Sequence, residues 1–232
     1  MINFTPNDSG STGFGANSFK FPLSIASEHG PLHGTLELLP EAHGLVVLAH
    51  AALALDGRDG ALAALLRHAG LSTLSVDLLS AHEEHFPDVH NNVPLLSKRL
   101  LDFLGLIKHR TLLGEIPPQP IGLYAANATT PVVIRTAALR DHDIAAIVCR
   151  GGLIDRAGML YLRSLESPLL MLHEETDTQH LANSRRAFQE IPSPKELKLI
   201  PEIAIDYTQS TGFEVAAQEA TAWFVKHFAQ AR

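Results

Sequence analysis

Residues 44–50 read Gly-Leu-Val-Val-Leu-Ala-His and contain five consecutive apolar side chains. A strand that is apolar at every position is typical of a parallel sheet with helices on both faces. Residues 71–78 are predicted to form a second strand, which ends at Asp77. Between the two strands, the i, i+3, i+4, i+7 spacing of a helix is followed by Leu62, Leu65, Leu66 and Ala69. Gly70 stands where a helix C-terminal glycine belongs. This stretch therefore predicts a strand–helix–strand unit.

The same alternation of short apolar segments and helix-period segments continues along the chain. The spacing predicts helices over 93–108, 179–190 and 213–229, and strands over 121–125, 144–149, 168–173 and 196–200. His33 to Leu39 alternates between apolar and polar residues in the manner of a half-buried edge strand. The order of elements predicts an α/β fold, a doubly wound and mostly parallel sheet with helices on both faces.

Residues 1–19 are rich in Gly, Ser and Asn, show no period, and are predicted to form a flexible leader. No Gly/Ser-rich or Pro-rich linker divides residues 20–232, so we expect them to form one domain.

Composition narrows the classes of function. The net charge is -7 and the basic residues are scattered, which argues against nucleic acid or an anionic membrane as a partner. The longest apolar run, 45–55, is about half of a bilayer span, and there is no secretory signal, so a cytoplasmic protein is expected. The single cysteine, Cys149, lies in an apolar run and is expected to be a buried strand residue.

Three motifs occur in an order that resembles a known family. They are Gly-Leu-Val-Val-Leu-Ala-His at 44–50, Gly-Leu-Ser-Thr-Leu-Ser-Val-Asp-Leu-Leu at 70–79, and Cys-Arg-Gly-Gly at 149–152. From about residue 30 to the C-terminus, the chain resembles the dienelactone-hydrolase-like branch of the α/β-hydrolases. The resemblance implies the α/β-hydrolase fold and predicts where a catalytic triad would stand.

The resemblance places the nucleophile in a G-x-[SC]-x-G turn between a strand and a helix. The matching stretch, 124–129, reads Tyr-Ala-Ala-Asn-Ala-Thr. Asn127 holds the nucleophile position, while Ala125 and Thr129 replace the two glycines. A neutral carboxamide cannot become a nucleophile, but asparagine tolerates the positive φ that this turn needs. We therefore expect the turn to persist without its chemistry.

Of the other two triad positions, the histidine is lost and the acid is retained. The histidine position falls on Ile205, and no histidine lies between His180 and His227. Asp177 matches the acid. Since no histidine is expected to be oriented by it, a helix-capping role is favoured. The resemblance thus predicts a degenerate triad.

Residues around the predicted crevice suggest a ligand site, lined by Leu53, Tyr124, Asn127, Ala128 and Tyr207. With Leu55 and Ile205 beside them, they favour a small apolar ligand, or a crevice that is simply filled. Backbone N–H groups of Leu53 and Ala128 are expected to point inward.

Metal and cofactor sites have little support. Residues 82–90 and a second group hold ligand-type side chains, the second group being His173, Glu174, Asp177 and His180. Neither has a recognised spacing, and solvated loops are the favoured interpretation. No nucleotide-binding glycine motif is present, so we expect no metal and no cofactor.

Two hypotheses of function follow. The first is a pseudoenzyme that binds a small ligand or a protein partner without hydrolysing it. The alternative is a dienelactone-hydrolase-like or esterase-type hydrolase with a non-standard set, Asp177 with Tyr124 and the backbone N–H pocket. An open crevice with convergent polar groups favours chemistry, and a collapsed one favours the binding module. The sequence makes no prediction of oligomeric state.

Overall fold

The computed structural model describes residues 18–51, 57–83, 86, 88–140, 143–203 and 211–231, and describes the backbone alone for 57–59. Within these ranges the strands are β1 Phe19–Ile25, β2 Leu32–Leu38, β3 Leu45–His50, β4 Ser72–Asp77, β5 Ile121–Ala126, β6 Ile144–Arg150, β7 Leu169–Glu174 and β8 Lys195–Ile200. The α-helices are α1 Gly57–His68, α2 Val93–Leu112, α3 Thr130–Leu139, α4 Met159–Arg163, α5 Thr178–Phe188 and α6 Thr211–Gln230.

All eight strands join one sheet in the order β1-β2-β4-β3-β5-β6-β7-β8. The pairs β1–β2 and β2–β4 are antiparallel, and every later pair is parallel. Strand β3, near the centre, is buried at all six positions, as its continuous apolar run predicts. The predicted fold class, a mostly parallel sheet in an α/β fold, is therefore confirmed.

The prediction of an edge strand at His33–Leu39 is wrong in one respect. Strand β2 does alternate between buried and more exposed residues, but β1 lies outside it and pairs from Phe19↔Leu38 to Ile25↔Leu32. The sequence did not reveal β1 because Pro22 interrupts it. The strand also begins at Phe19, one residue inside the predicted leader, whose first 17 residues lie outside the described ranges.

Helices cover both faces of the sheet. One face packs against α1 and α6 through side chains such as Leu48, Leu66 and Phe224. The other packs against α2, α3, α4 and α5 through side chains such as Phe103 and Ile134. None of the helices in the described ranges combines the length and apolar character needed to cross a bilayer.

A buried ion pair joins the loop after β4 to α2. The Arg99 guanidinium donates to both carboxylate oxygens of Glu83, at 2.9 and 2.6 Å, and to the backbone oxygen of Leu78 at 2.7 Å. Burial opposes ionisation of Glu83, but bonds from Arg99 and from the Ser80 N–H hold the pKa of its carboxyl below the usual range. Glu83 is 1% exposed, so the expectation of a solvated loop over 82–90 is wrong for this residue.

Candidate ligand-binding cleft

The turn after β5 keeps the geometry of a nucleophile elbow. Asn127 has φ 53°, in the left-handed region, and opens a 3₁₀ turn, Asn127–Thr129, that runs into α3. Asn127 and Ala128 are exposed at the tip. Thr129 is buried, and its hydroxyl donates to the backbone oxygen of Ala126 at 3.0 Å. Asparagine therefore occupies the strained position as the sequence predicts, and the turn accommodates threonine where the family pattern has glycine.

The turn after β6 packs directly against this elbow. Gly152 has φ 83°, and a Cβ on it would stand 2.2 Å from the backbone oxygen of Asn127. A Cβ on Gly151 would stand 2.8 Å from the Asn127 side-chain oxygen, so the carboxamide lies over this turn. The Thr130 hydroxyl donates to the Gly151 oxygen at 3.0 Å. A side chain at either position would collide with Asn127, so the two glycines allow the turns after β5 and β6 to pack together.

Asp177 begins α5 and makes two kinds of contact with His180. Its carboxylate accepts the His180 backbone N–H at 3.3 Å, which is an N-cap, and lies 2.8 Å from His180 Nδ1. The predicted capping role is confirmed. The accompanying premise, that Asp177 has no histidine to orient, is wrong because a helix brings residues i and i+3 together. The Asp-x-x-His spacing was the available signal.

These groups line one open cleft of ≈ 320 Å³ at the carboxyl ends of the parallel strands. Its lining consists of Asn91, Asn127, Ala128, Pro131, Gly152, Leu153, Arg156, Asp177 and His180. Arg156 donates from Nη1 to the Asn91 side-chain oxygen at 2.7 Å. Sequence reasoning missed Asn91 and Arg156 as site residues. They come from loops at the edge where ligands bind in open α/β sheets, which was the only available signal.

The remaining predicted site residues are placed as follows. Tyr124 is 5% exposed and packs in the core between the sheet and α6, and it is not among the residues that line the cleft. Leu53, Ile205 and Tyr207 lie outside the described residues. The described lining is consequently more polar than the predicted crevice, whose apolar members fall mostly outside it.

A second histidine, His173, lies at the end of β7 and is fully buried. Neither ring nitrogen has a hydrogen-bond partner among the described residues. Burial lowers the pKa of this imidazole, and the charge of Asp177 opposes that effect only in part. The expectation that the group 173–180 is a solvated loop is therefore wrong for His173.

Cys149 and metal binding add nothing to the cleft. Cys149 is fully buried on β6, as predicted, and burial raises the pKa of its thiol far above the usual value. Within the described residues, no group of three or more His, Cys, Asp or Glu side chains is arranged to hold a metal ion.

The two roles of Asp177 can be separated by stability. Asp177→Ala removes the cap and is expected to lower the free energy of unfolding by about 1 kcal/mol. Asp177→Asn keeps a capping oxygen and is expected to retain most of that stability, because asparagine caps helices as well as aspartate does. Urea denaturation of the two variants measures the difference. Equal losses would show that the cap is not what Asp177 contributes.

Comparison with solved structures agrees with the resemblance. A dienelactone hydrolase from Anabaena variabilis superposes with a TM-score of 0.81 at 24% identity, covering 90% of this chain and 98% of that one. The fold is that of the α/β-hydrolases. Est1E from Butyrivibrio proteoclasticus superposes on this α/β-hydrolase fold with a TM-score of 0.71 at 12% identity, covering 90% and 99% of the two chains.

The curated proteins that match this chain in sequence are not named as hydrolases. Two proteins from strains of Mycobacterium tuberculosis, provisionally named phosphoribosyl transferases, are 29% identical to the α/β-hydrolase-fold chain over 199 residues. The match covers 85% of this chain and 44% of each relative, so the chain spans less than half the length of the curated relatives it matches. No family profile matches the chain.

Proposed function

We propose that this chain is a hydrolase-derived binding module that holds a small molecule in the cleft without hydrolysing it. The observation that carries the proposal is Asn127, which occupies the elbow at φ 53° beside the open cleft. Its carboxamide has no proton that a base can remove to give a useful nucleophile at neutral pH. It can instead donate and accept hydrogen bonds, which suits binding.

The cleft favours a ligand with a polar end rich in acceptor oxygens. Asn127, Arg156 and His180 offer donors there. The backbone N–H of Ala128 is at the start of the turn into α3, where partial positive charge collects. The sequence prediction that Leu53 and Tyr207 line the crevice stays a prediction, because both residues lie outside the described ranges. A carboxylic acid or ester of modest size fits this description.

A second candidate function, hydrolysis, is supported by the open cleft with its converging polar groups, which is the arrangement expected for chemistry, and by the Asp177–His180 pair. A histidine held by a carboxylate at 2.8 Å can remove a proton from water, and both residues line the cleft with Asn127. In this hydrolase, water would attack the ester carbonyl while His180 takes its proton, and the acyl C–O bond would then break as His180 returns that proton to the leaving alcohol. The Asn127 carboxamide and the Ala128 N–H would stabilise the oxyanion. His180 then replaces Tyr124 as the residue that acts with Asp177, because Tyr124 is buried in the core.

Phosphoribosyl transfer is not proposed for this chain. The name belongs to relatives of which the chain matches 44%, and the chain has neither of the glycine-rich phosphate motifs sought in its sequence. We propose that the name describes the part of those relatives that this chain does not match.

Hydrolysis of short p-nitrophenyl esters tests the proposal. The wild type is expected to match the uncatalysed rate, and Asn127→Ser with Ile205→His is expected to gain turnover and react with a fluorophosphonate, since it restores both lost groups. If the second candidate is right, the wild type turns over ester. Its rate then falls by roughly 10²–10⁴-fold in His180→Ala.

His109→Ala is the matched control, because His109 is exposed in the last turn of α2 and lines neither the cleft nor the core. Turnover by the wild type that His180→Ala removes and His109→Ala preserves contradicts the binding module. The binding module is supported if the wild type hydrolyses no ester while the variant with both Asn127→Ser and Ile205→His does.

A further inference from the structure

A second pocket, of ≈ 340 Å³, lies at the opposite end of the sheet from the cleft. It opens where β3, β5 and β6 begin and where α2 and α3 end. We call it the N-edge pocket; its lining includes the aliphatic side chains of Leu45, Leu104, Ile107, Ile116, Ile121 and Ile144. Its volume and apolar lining are those of small-molecule sites.

The rim of the N-edge pocket carries two cations and one carboxylate, and both cations are paired with that carboxylate. Asp143 lies 3.3 Å from the Lys108 ammonium and 3.1 Å from the Arg140 guanidinium. The last turns of α2 and α3 add partial negative charge from their carbonyl groups, which the two cations also offset. An anionic ligand would have to compete with Asp143 and with the helix ends, so the rim favours a neutral molecule.

One hydrogen-bond acceptor in the lining has no donor among the described residues. The side-chain oxygen of Gln119 is sealed from solvent and has no hydrogen-bond partner among the described residues. An unsatisfied buried acceptor costs free energy. The terminal torsion of glutamine is broad, and Gln119 lines the pocket, so this oxygen can rotate to meet a ligand there. A hydroxyl group on a ligand would satisfy it.

We propose that the N-edge pocket binds a small neutral molecule with an apolar body and one hydroxyl group, such as an alkylphenol or a medium-chain alcohol. The aliphatic walls take the apolar body, Gln119 accepts the hydroxyl proton, and the paired rim excludes carboxylates. The site is separate from the cleft, so it does not depend on whether the cleft binds or hydrolyses esters.

Three matched probes test the proposal: 4-propylphenol, propylbenzene and 4-propylbenzoate. Amide chemical shifts are followed by NMR during titration. The wild type is expected to bind the phenol roughly two- to tenfold more tightly than propylbenzene, the range that one net hydrogen bond gives. The benzoate is expected to bind most weakly. Gln119→Leu is expected to bind the phenol and propylbenzene equally.

Thr111→Trp is designed to fill the pocket. Thr111 lines it, and its hydroxyl bonds only to Ile107 of the same helix turn among the described contacts. This variant is expected to lose binding of all three probes. Lys98→Trp, on an exposed face of the same helix, is expected to bind as the wild type does.

The proposal is overturned if the wild type binds none of the probes, or if Thr111→Trp still binds them. It is also overturned if the benzoate binds as tightly as the phenol, or if the preference for the phenol persists in Gln119→Leu. Far-ultraviolet circular dichroism of each variant establishes that lost binding is not lost folding.

Discussion

Arg99→Ala is expected to lower the free energy of unfolding by about 3–5 kcal/mol, the cost of leaving one partner of a buried ion pair alone. Glu83 is 1% exposed and would lose both bonds from the guanidinium. The backbone oxygen of Leu78 would lose its donor as well. Denaturation in guanidinium chloride measures the change directly.

Two variants serve as controls for Arg99→Ala. Arg163 and Glu190 form an exposed pair at 2.9 Å, and Arg163→Ala is expected to cost less than about 1 kcal/mol. The double variant Arg99→Met with Glu83→Gln is expected to lose less than Arg99→Ala alone, because no buried charge is stranded. If Arg99→Ala costs no more than Arg163→Ala, the buried pair does not stabilise the fold.

The Arg99–Glu83 pair is also expected to make the free energy of unfolding depend on pH in acid. Because the pKa of Glu83 is lower in the folded state than in the unfolded chain, its contribution is fully present above the unfolded pKa, about 4.3 for glutamate. The contribution is lost as the pH falls from there through the folded pKa. Arg99→Ala is expected to remove this part of the acid dependence.

Gly152→Ala is expected to lower the free energy of unfolding by about 2–5 kcal/mol, from a left-handed backbone and from overpacking together. The φ of 83° strains any residue with a Cβ. That Cβ would also stand 2.2 Å from the Asn127 oxygen and 2.9 Å from the Thr130 Cβ. Backbone must move to admit it, so we expect the amide shifts of the elbow to change together with the stability.

Gly105→Ala is the matched control for Gly152→Ala. Gly105 lies inside α2, and a Cβ there would meet nothing within 4 Å. Alanine is expected to stabilise this helix by about 0.5–1 kcal/mol, since it loses less backbone entropy than glycine. A Gly152→Ala variant as stable as the wild type would show that the two turns are not packed together as described.

Local patterns in the sequence predicted most of the fold. The apolar run of β3, the helix spacing of α1 and the glycine that follows α1 predicted the strand–helix–strand unit. The position of Asn127 in the elbow was also predictable, because a motif and a backbone preference agree there. Strand β1 was not, since its apolar pattern is broken by Pro22 and it is stabilised by pairing with a neighbour.

The cleft was less predictable than the fold because its side chains come from distant loops. Asn91 and Arg156 are 65 residues apart, and their contact depends on how β4 and β6 place the loops that follow them. The Asp177–His180 contact is local, but it is recognisable only once the helix is known to begin at Thr178. The family pattern also places the catalytic histidine after β8, at Ile205, and so does not point to His180.

The outer strands have a consequence for a concentrated solution of this protein. An open sheet ends in two rows of peptide groups that can recruit a strand from another copy. Along β1, Pro22 has no N–H that could bond to an added strand, and the Lys20 side chain is 67% exposed. On β8, Lys195, Glu196 and Lys198 place charges along the opposite border. Both borders therefore discourage growth of the sheet from copy to copy, and we expect them to oppose aggregation.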